Sequence, residues 1–365
     1  TLVSSTSGET WTLEGNASVF QPPVDASGPF GYLAEKASTN LLPYSQDLTS
    51  GWVIYNKNVT AFTISPEGVN NCPSLIPDVG ASTDQYIYNG AILSSVVGTT
   101  YTASIFVKDK GVGWVLLQHQ AGVQAIINVN LATGAVGVTS GLDSYSVEEV
   151  PNGFWRISMT WTETVAGSRR LYVTPAIADN VTTWAGDGVK GIYIWGAQLE
   201  QNATYPTSYI ATTTTAVTRN ADKLIAGDMV TDAAGTAYAE ASSIWALNNG
   251  YPNYAVLQRN NTGWILMAPV PTNANRVSSY DGSTNVYSPT GASYQNRPAN
   301  LALTWGTQRN IYNDGLTASG AYDGALGTGN LGIGNDNGGA SQWGGTIREV
   351  KIFNSELTAA EVGDL

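Results

Sequence analysis

The sequence predicts an all-β protein with two tandem antiparallel β-sandwich domains and a short N-terminal extension. Three observations support this fold class: many segments rich in β-branched and aromatic residues, turn-forming residues between them, and few charges. Charged residues make up only 12% of the 365 residues, against about 25% in ordinary soluble domains. The chain nevertheless contains 11 Trp and 19 Tyr, so its composition is not that of a disordered protein.

Strand signals are clearest in the first half of the chain. Several segments alternate apolar and polar residues, as expected where one face of a strand is buried, and turn formers such as DKG, VPNG and VAGS separate them. The predicted strands cover residues 101–109, 113–119, 125–131, 154–163 and 170–177. Only two short segments have a helical pattern: residues 83–89 and the final LTAAEVGDL, in which Thr358 and Glu361 are placed to form a capping box.

The chain is longer than the roughly 100–200 residues of one domain, so we expect two domains. A Thr-rich stretch without a clear period lies near residues 205–222, and the strand pattern resumes at 236–247. We therefore predict a first sandwich over 38–212, a linker over 213–222 and a second sandwich over 223–365. Residues 1–37 are too few for a core of their own, and we expect them to pack on the first sandwich or to anchor the protein to a partner.

The charge and cysteine content exclude several classes of partner. A net charge of -12 argues against nucleic acid and anionic membranes. No apolar run approaches the roughly 18 residues needed to cross a bilayer, and we expect no signal peptide, because no basic segment followed by an apolar one opens the chain. The single cysteine, Cys72, excludes an internal disulfide, and we expect it to be inert.

Several uncommon strings occur in order between about residues 31 and 222. They are AEKASTNLL, then NGFWR, then WGAQLE followed by PTSYI and TRNAD. In this order they resemble a sandwich domain of bacteriophage and prophage structural proteins, which is similar in layout to jelly-roll carbohydrate-binding modules. The resemblance implies a jelly-roll fold and a virion setting, and sugar binding is implied by the likeness to those modules.

A second pattern lies in residues 223–365. A Gly-Gly pair is followed by a strand-like segment and then by a short helical one, in WGGTIREVKIFNSELTAAEV. This pattern resembles the end of a laminin-G/concanavalin A-like lectin domain. The resemblance implies a second jelly roll, in which IREVKIF completes the sandwich and LTAAEV is a short helix. This fold carries binders, hydrolases and spacers alike, so the resemblance leaves the function open.

The sequence contains no recognisable catalytic constellation. It lacks the nucleophile elbow G-x-S-x-G and the E-x-D-x-x-E pattern by which cleaving enzymes of the lectin-like fold place their acids. The single histidine, His119, lies between two glutamines, and we expect it on a sheet surface. We therefore predict that the protein is not an enzyme.

Two kinds of binding residue are predicted. Aromatic side chains beside polar turns suit stacking on a sugar ring, with core packing as the alternative for each. The candidates are Trp52, Tyr55, Trp184, Tyr251, Tyr254, Tyr280 and Trp343. Oxygen-rich turns suit calcium, with an ordinary hairpin turn as the alternative. The calcium candidates are Asp281, Asp314, Asn335 and Asp336. No cofactor is required, and calcium is the only ion that these turns suggest.

The combined observations predict a phage virion appendage, such as a tail fibre, head spike or decoration protein. It would bind host surface polysaccharide during adsorption, lie on the surface of the particle and contact other virion proteins. The uncharged, aromatic-rich strands also suit a homo-oligomer, with a trimer favoured. Three alternatives stay open: a purely structural capsid or tail decoration protein, a polysaccharide depolymerase and, as a minor one, a secreted bacterial lectin.

Overall fold

The computed structural model describes residues 12–14, 32–55, 57–80, 85–90, 93–120, 124–227, 230, 232–243, 256–259, 264–270, 273–281, 283–292, 297–326, 329–335 and 342–365. The chain divides into two compact units. The first unit contains Ser38–Arg219, and the second contains Asn220–Leu365 together with the described residues that precede Ser38. The prediction of an all-β fold is confirmed.

Two short strands come first in the chain: β1 (Thr12–Glu14) and β2 (Tyr32–Ala34). The strands of the first unit are β3 (Ser38–Asn40), β4 (Trp52–Tyr55), β5 (Lys57–Ile64), β6 (Asn70–Pro77), β7 (Tyr86–Asn89), β8 (Leu93–Ser95), β9 (Thr100–Lys110), β10 (Trp114–Gln120), β11 (Ala125–Asn130), β12 (Val136–Ser140), β13 (Ser144–Val150), β14 (Phe154–Thr162), β15 (Gly167–Ala176), β16 (Gly191–Gln201) and β17 (Val217–Arg219). The second unit continues with β18 (Lys223–Ala226), β19 (Gly235–Ser243), β20 (Leu257–Arg259), β21 (Trp264–Val270), β22 (Asn273–Tyr280), β23 (Asn285–Tyr287), β24 (Ala299–Trp305), β25 (Arg309–Asn313), β26 (Leu316–Gly320), β27 (Leu331–Ile333), β28 (Gly345–Phe353) and the helix α1 (Ala359–Gly363).

The first unit is a sandwich of two antiparallel sheets. Sheet A has the strand order β12-β11-β10-β15-β7-β4, with β8 also paired to β15, and sheet B has the order β13-β14-β9-β16-β6-β5. Alternate side chains of both sheets form one core, which includes Ile87, Leu117 and Val173 from sheet A and Ile105 and Ile157 from sheet B. Since the other residues of each strand point away from this core, both sheets have an outward face.

The second unit has a six-stranded antiparallel sheet in the order β2-β28-β19-β24-β25-β26. A four-stranded sheet, β1-β18-β27-β20, and a three-stranded sheet, β21-β22-β23, complete it. Its core contains Trp305 and Trp343 together with Leu301, Leu303 and Ile333, all fully buried or nearly so. Large aromatic and aliphatic side chains from several sheets therefore fill one interior.

The N-terminal strands differ from the expectation for residues 1–37. β1 pairs with β18, with Thr12 opposite Ile225, and β2 pairs with β28, with Tyr32 opposite Ile347. The described strands of the extension therefore complete sheets of the second unit, and for these strands packing on the first sandwich was the wrong expectation. Anchoring to a partner stays a prediction. The predicted linker is also shorter in the structure, because β17 pairs with β3 in the first unit.

One of the two helical predictions was right. Residues 86–89 form strand β7 rather than a helix. The final segment does form α1, and Thr358 caps it as predicted: the Thr358 N–H donates to Glu361 Oε2 at 2.8 Å, and the Glu361 N–H donates to Thr358 Oγ1 at 3.4 Å. Among the described residues, no helix is both long and apolar enough to cross a bilayer.

His119 lies inside the first sandwich and not on a sheet surface, so that expectation was wrong. Its side chain is on the core side of β10, is only 3% exposed, and stacks on Trp161 with the ring centroids 4.2 Å apart. His119 Nε2 is 4.0 Å from Glu163 Oε2, and the same carboxylate oxygen accepts a hydrogen bond from Arg169 Nε at 3.0 Å. The histidine is therefore part of a buried polar cluster.

Asn40, from the TNLL string, connects distant segments of the first unit. Its side-chain N–H groups donate to the carbonyl oxygens of Ala197 at 3.1 Å and Ile210 at 2.8 Å. Its side-chain oxygen accepts from the N–H groups of Leu42 and Leu199, both at 3.1 Å. This fully buried amide therefore uses both of its donors and both lone pairs of its oxygen.

Glu200, from the WGAQLE string, has a similar role. Its buried carboxylate accepts from Ser38 Oγ at 2.5 Å, Thr207 Oγ1 at 2.5 Å and the Thr207 N–H at 3.0 Å. Arg156, from the NGFWR string, donates to the Thr207 carbonyl oxygen at 2.5 Å and to Ser104 Oγ at 3.2 Å. The strings that carry the phage resemblance thus build a buried polar framework, which explains their unusual composition.

Cys72 is a structural residue, as expected. The thiol is fully buried and donates to the carbonyl oxygen of Ile194 at 3.3 Å. Burial raises the pKa of Cys72 to about 12. Because the thiolate is the reactive form, this side chain is inert at neutral pH.

Candidate functional site

The outward face of sheet A carries a cluster of tyrosines. Side chains alternate along a strand, so the neighbours of the core residues Ile87 and Val173 point outward. Four tyrosines occupy this face on the last three strands of the sheet order: Tyr55 on β4, Tyr86 and Tyr88 on β7, and Tyr172 on β15. We call this group the tyrosine patch.

Strand pairing brings the four rings together. Tyr55 is opposite Tyr86, and Tyr88 is opposite Tyr172. The rings of Tyr55 and Tyr86 are stacked, with centroids 5.3 Å apart and planes 14° from parallel. Tyr172 meets Tyr86 edge-on at 5.2 Å and lies 5.1 Å from Tyr88. Cross-strand aromatic pairs of this kind stabilise a sheet and fix the positions of the rings.

Polar groups border the patch. Gln118 on β10 is opposite Tyr172 and half-exposed, and the guanidinium carbon of Arg170 lies 4.7 Å from the ring centroid of Tyr88. Tyr55 is 47% exposed, and the other three tyrosines are half-buried. The surface therefore combines aromatic carbon with phenol, amide and guanidinium groups. Such a surface can contact the apolar face of a sugar ring and hydrogen-bond to its hydroxyls.

Three of the predicted aromatic candidates pack against the cores. Trp52 is 7% exposed in the core of the first unit, and its Nε1 donates to the Tyr44 carbonyl oxygen at 3.3 Å. Trp343 is fully buried in the second unit, and its Nε1 donates to the Ser242 carbonyl oxygen at 3.0 Å. Neither ring has a face for a sugar, so both predictions were wrong. Trp184 is half-buried against the core of the first unit.

The other aromatic candidates differ in outcome. Tyr55 is the predicted residue that the structure places in the tyrosine patch. Tyr280 is half-buried at the end of β22, opposite Asn285, and its binding role stays a prediction. Tyr251 and Tyr254 lie outside the described residues, as does the calcium candidate Asp336.

Both carboxylate oxygens of Asp281, a predicted calcium ligand, interact with protein groups. Its Oδ1 accepts from the N–H groups of Ser283 at 3.0 Å and Thr284 at 2.8 Å, and its Oδ2 is 3.0 Å from the guanidinium of the buried Arg309. Burial raises the pKa of Asp281, but these hydrogen bonds and the Arg309 charge lower it by more, so it lies below 3.8. The carboxylate is therefore an ionised turn-stabilising group.

The other two described calcium candidates also have protein partners. Asp314 pairs with Arg297, and its Oδ1 accepts from the Asn300 N–H at 2.8 Å. Asn335 is fully buried, and its side-chain N–H groups donate to the carbonyl oxygens of Leu224 and Ile333. In the described part of the chain, no group of three or more His, Cys, Asp or Glu is placed to hold a metal ion. Calcium binding stays a prediction.

Three of the four tyrosines of the patch were not predicted from the sequence. Tyr86 and Tyr88 lie in the segment that was expected to be helical, and a helical spacing of two places them on different faces. As a strand, YIYN puts both on one face, and RLYV adds Tyr172 by the same alternation. The period-two pattern of these two strings was therefore the available signal.

A comparison with protein families matches the second unit. Residues 232–363 match the model of the concanavalin A-like lectin/glucanases superfamily. The second unit therefore contains a lectin-like domain with the β-sandwich fold of that superfamily, as the sequence predicted. No curated protein matches the chain.

Two solved structures are similar to this chain at low sequence identity. A proposed carbohydrate-binding protein from Bacteroides ovatus is 13% identical, with a TM-score of 0.30 over 77% of this chain and 77% of that one. Domains LG4-5 of the mouse laminin alpha1 chain are 12% identical, with a TM-score of 0.26 over 81% of this chain and 92% of that one. At these values neither likeness contributes to the functional argument.

Proposed function

We propose that this protein binds glycans through the tyrosine patch, and that it does so as an appendage on a phage particle during adsorption to the host. The observation that carries the glycan proposal is the patch itself: four tyrosine rings in mutual contact on the outward face of a sandwich sheet. Clustered exposed aromatic surface of this kind is uncommon on a soluble protein and marks binding sites.

The chemistry of the patch favours a sugar over a purely apolar ligand. Each ring carries a phenol group, and Gln118 and Arg170 add further donors at its border. A pyranose ring has the same mixture, because its C–H groups form apolar faces and its hydroxyls surround them. Phenol, amide and guanidinium groups match those hydroxyls without leaving buried polar groups unpaired.

The phage setting is proposed from the sequence resemblance. The strings around Asn40 and Glu200 resemble those of phage and prophage structural proteins, and the lectin-like second unit is compatible with an adsorption role. In this proposal the protein lies on the particle surface, contacts other virion proteins and forms a homo-oligomer, with a trimer favoured. It requires no cofactor and does not cleave its ligand.

The first test is binding to host cells and to their extracted surface polysaccharide. Tyr172→Ala removes the ring that touches both Tyr86 and Tyr88, and we expect it to weaken binding about 30-fold, the effect of losing a hot-spot residue. Tyr145→Ala is the matched control, because Tyr145 is 52% exposed on sheet B, away from the patch. It should bind like the unmodified protein.

Each alternative function gives a different result in the same experiment. If both variants weaken binding equally, or if neither variant weakens it, the glycan site lies elsewhere. An absence of binding by the unmodified protein to cells and polysaccharide alike would favour a purely structural decoration protein. New reducing ends in the polysaccharide would show a depolymerase.

A further inference from the structure

Arg170 stands beside the tyrosine patch on the same outward face. It is half-buried on β15, two residues from Tyr172, and its guanidinium carbon lies 4.7 Å from the ring centroid of Tyr88. This contact with the ring restricts the guanidinium to one region of the outward face. An arginine held in this way is preorganised to donate two parallel hydrogen bonds.

Seven other described arginines each have at least one N–H group engaged by a protein acceptor. They donate to carboxylates, carbonyl oxygens or hydroxyls of the protein, as at Arg156, Arg169, Arg259, Arg276, Arg297, Arg309 and Arg348. In the part of the chain that the structure describes, the Arg170 guanidinium makes its ring contact with Tyr88 and no hydrogen bond or ion pair. Its five donors are therefore available to a ligand.

The strands of the sheet that carries Arg170 contain no acidic residue. No Asp or Glu occurs in β4, β7, β8, β10, β11, β12 or β15, although the chain contains 28 acidic residues. The nearby Glu163 is buried and paired with Arg169 at 3.0 Å. Asp179 contacts the Val138 N–H on β12, at the opposite edge of the sheet from the patch.

The net charge of -12 disfavours extended anionic partners, but salt weakens its effect on a single carboxylate at this position. At about 0.1 M salt, charges beyond about 10 Å are largely screened, so the local charges decide the interaction. On the described part of this surface, Arg170 is an unpaired cation, and the strands contain no acid. A carboxylate there would accept charge-assisted hydrogen bonds from Arg170 while the sugar ring rests on the tyrosines.

We propose that the tyrosine patch is selective for acidic glycans and that Arg170 binds the carboxylate of a uronic or sialic acid unit. This inference rests on the proposed function and adds the class of sugar. Arg170 is thus the specificity-determining residue, and the tyrosines provide the part of the affinity that does not depend on charge.

The test uses the full chain and defined polymers. Polygalacturonate, hyaluronan and polysialic acid are immobilised, each beside its carboxyl-reduced, neutral form. We expect the unmodified protein to bind at least one acidic polymer about tenfold more tightly than its reduced form, and to lose this difference as salt is raised. Arg170→Gln should bind both forms equally, at the affinity that the unmodified protein shows for the neutral one.

Two further variants separate charge from folding. Arg170→Lys keeps the charge but not the planar fork, so an intermediate preference is expected. Arg276→Gln is the matched control, since Arg276 also lies over a tyrosine, Tyr287, at 5.3 Å, but in the second unit and with its Nε donated to the Ser288 carbonyl oxygen. It should retain the full preference for the acidic form.

The outcomes distinguish this inference from the proposed function. Equal binding of acidic and neutral forms by the unmodified protein would overturn the inference and leave glycan binding intact. An acidic preference that survives in Arg170→Gln would also overturn it. Binding to none of these polymers would contradict the acidic selectivity, whereas the proposed function fails only if host polysaccharide is not bound either.

Discussion

The two units each place an arginine over a tyrosine ring, and the surroundings of the two pairs differ. In the first unit Arg170 covers Tyr88, and three more tyrosines are in contact on the same face. In the second unit Arg276 covers Tyr287 and donates to the Ser288 carbonyl oxygen at 2.7 Å. In the second unit the arginine is thus hydrogen-bonded to a nearby backbone carbonyl. In the first unit the arginine–tyrosine pair belongs to a larger aromatic surface.

Acidic residues of the second unit are also engaged by protein groups. The predicted calcium ligands of the second unit, Asp281 and Asp314, are each paired with an arginine. These groups stabilise turns and strands of the lectin-like domain. The second unit thus matches the lectin-like superfamily in its fold, while the surface that we propose for sugar binding lies in the first unit. The two units contain similar types of polar residue. What differs is which groups these residues contact.

The largest expected effect tests the structural role of the polar groups in the second unit. Arg309→Met should destabilise this unit by about 3–5 kcal/mol, because it leaves the Asp281 carboxylate buried without its cation. The Ser279 and Ala321 carbonyl oxygens would also lose their donor. Urea denaturation of the full chain measures the loss.

The control for Arg309 is a solvent-exposed pair in the same unit. Arg348 pairs with Glu240 at 2.8 Å, and Arg348→Met should cost no more than about 1 kcal/mol. Glycan binding by the first unit should be unchanged in both variants under native conditions. If Arg309→Met were as mild as Arg348→Met, the buried pair of Arg309 and Asp281 would stabilise the unit no more than an exposed pair, and this prediction would be contradicted.

The sequence predicted the fold well because burial on one face of a strand imposes a period of two. The predicted strands at 101–109, 113–119 and 154–163 correspond to β9, β10 and β14 within a few residues. The segment at 83–89 was too short for periodicity to separate helix from strand. There the strand pairing of Tyr86 and Tyr88 with neighbouring strands decided the structure.

The site was predicted less well, because polar neighbours in the sequence are not the neighbours in space. Trp52 follows a polar turn, yet as the first residue of β4 it points into the core, and Tyr55 three positions later points outward. Trp343 lies among glycines and is fully buried. Which alternate residues of a strand point into the core decides whether each ring is buried. A single sequence does not show this at the end of a strand.

A prediction of intermediate size concerns glycan binding after the loss of one of two similarly exposed tyrosines, one in each unit. Tyr55→Ala should weaken glycan binding about tenfold, since one stacked ring is removed from the edge of the patch. Its stability should change little, because Tyr55 is 47% exposed. Tyr287→Ala, at 41% exposure in the second unit, should leave binding unchanged. Equal weakening by Tyr287→Ala would reveal a second glycan surface.

The smallest effect concerns acid stability, and it differs between the units. Burial raises the pKa of Glu163 in the first unit, but hydrogen bonds from Arg169 and the Val165 N–H lower it by more, to below 4.5. The pKa of Asp281 in the second unit is likewise held below 3.8. A carboxyl group with a lowered folded-state pKa stabilises the protein above its unfolded-state pKa, and this contribution is lost as pH falls through the folded-state value.

The loss should therefore begin at a higher pH for Glu163 than for Asp281. Chemical denaturation of the unmodified protein, Glu163→Gln and Asp281→Asn between about pH 3 and pH 7 measures this. The destabilisation by Glu163→Gln should shrink as pH falls below about 4.3, the unfolded-state pKa of a glutamate, and that by Asp281→Asn as pH falls below about 3.9, the unfolded-state pKa of an aspartate. A destabilisation that stays constant to the lowest pH would contradict the expected protonation of the carboxylate within this range. A variant as stable as the unmodified protein at pH 7 would remove the ion pair from the account of that unit.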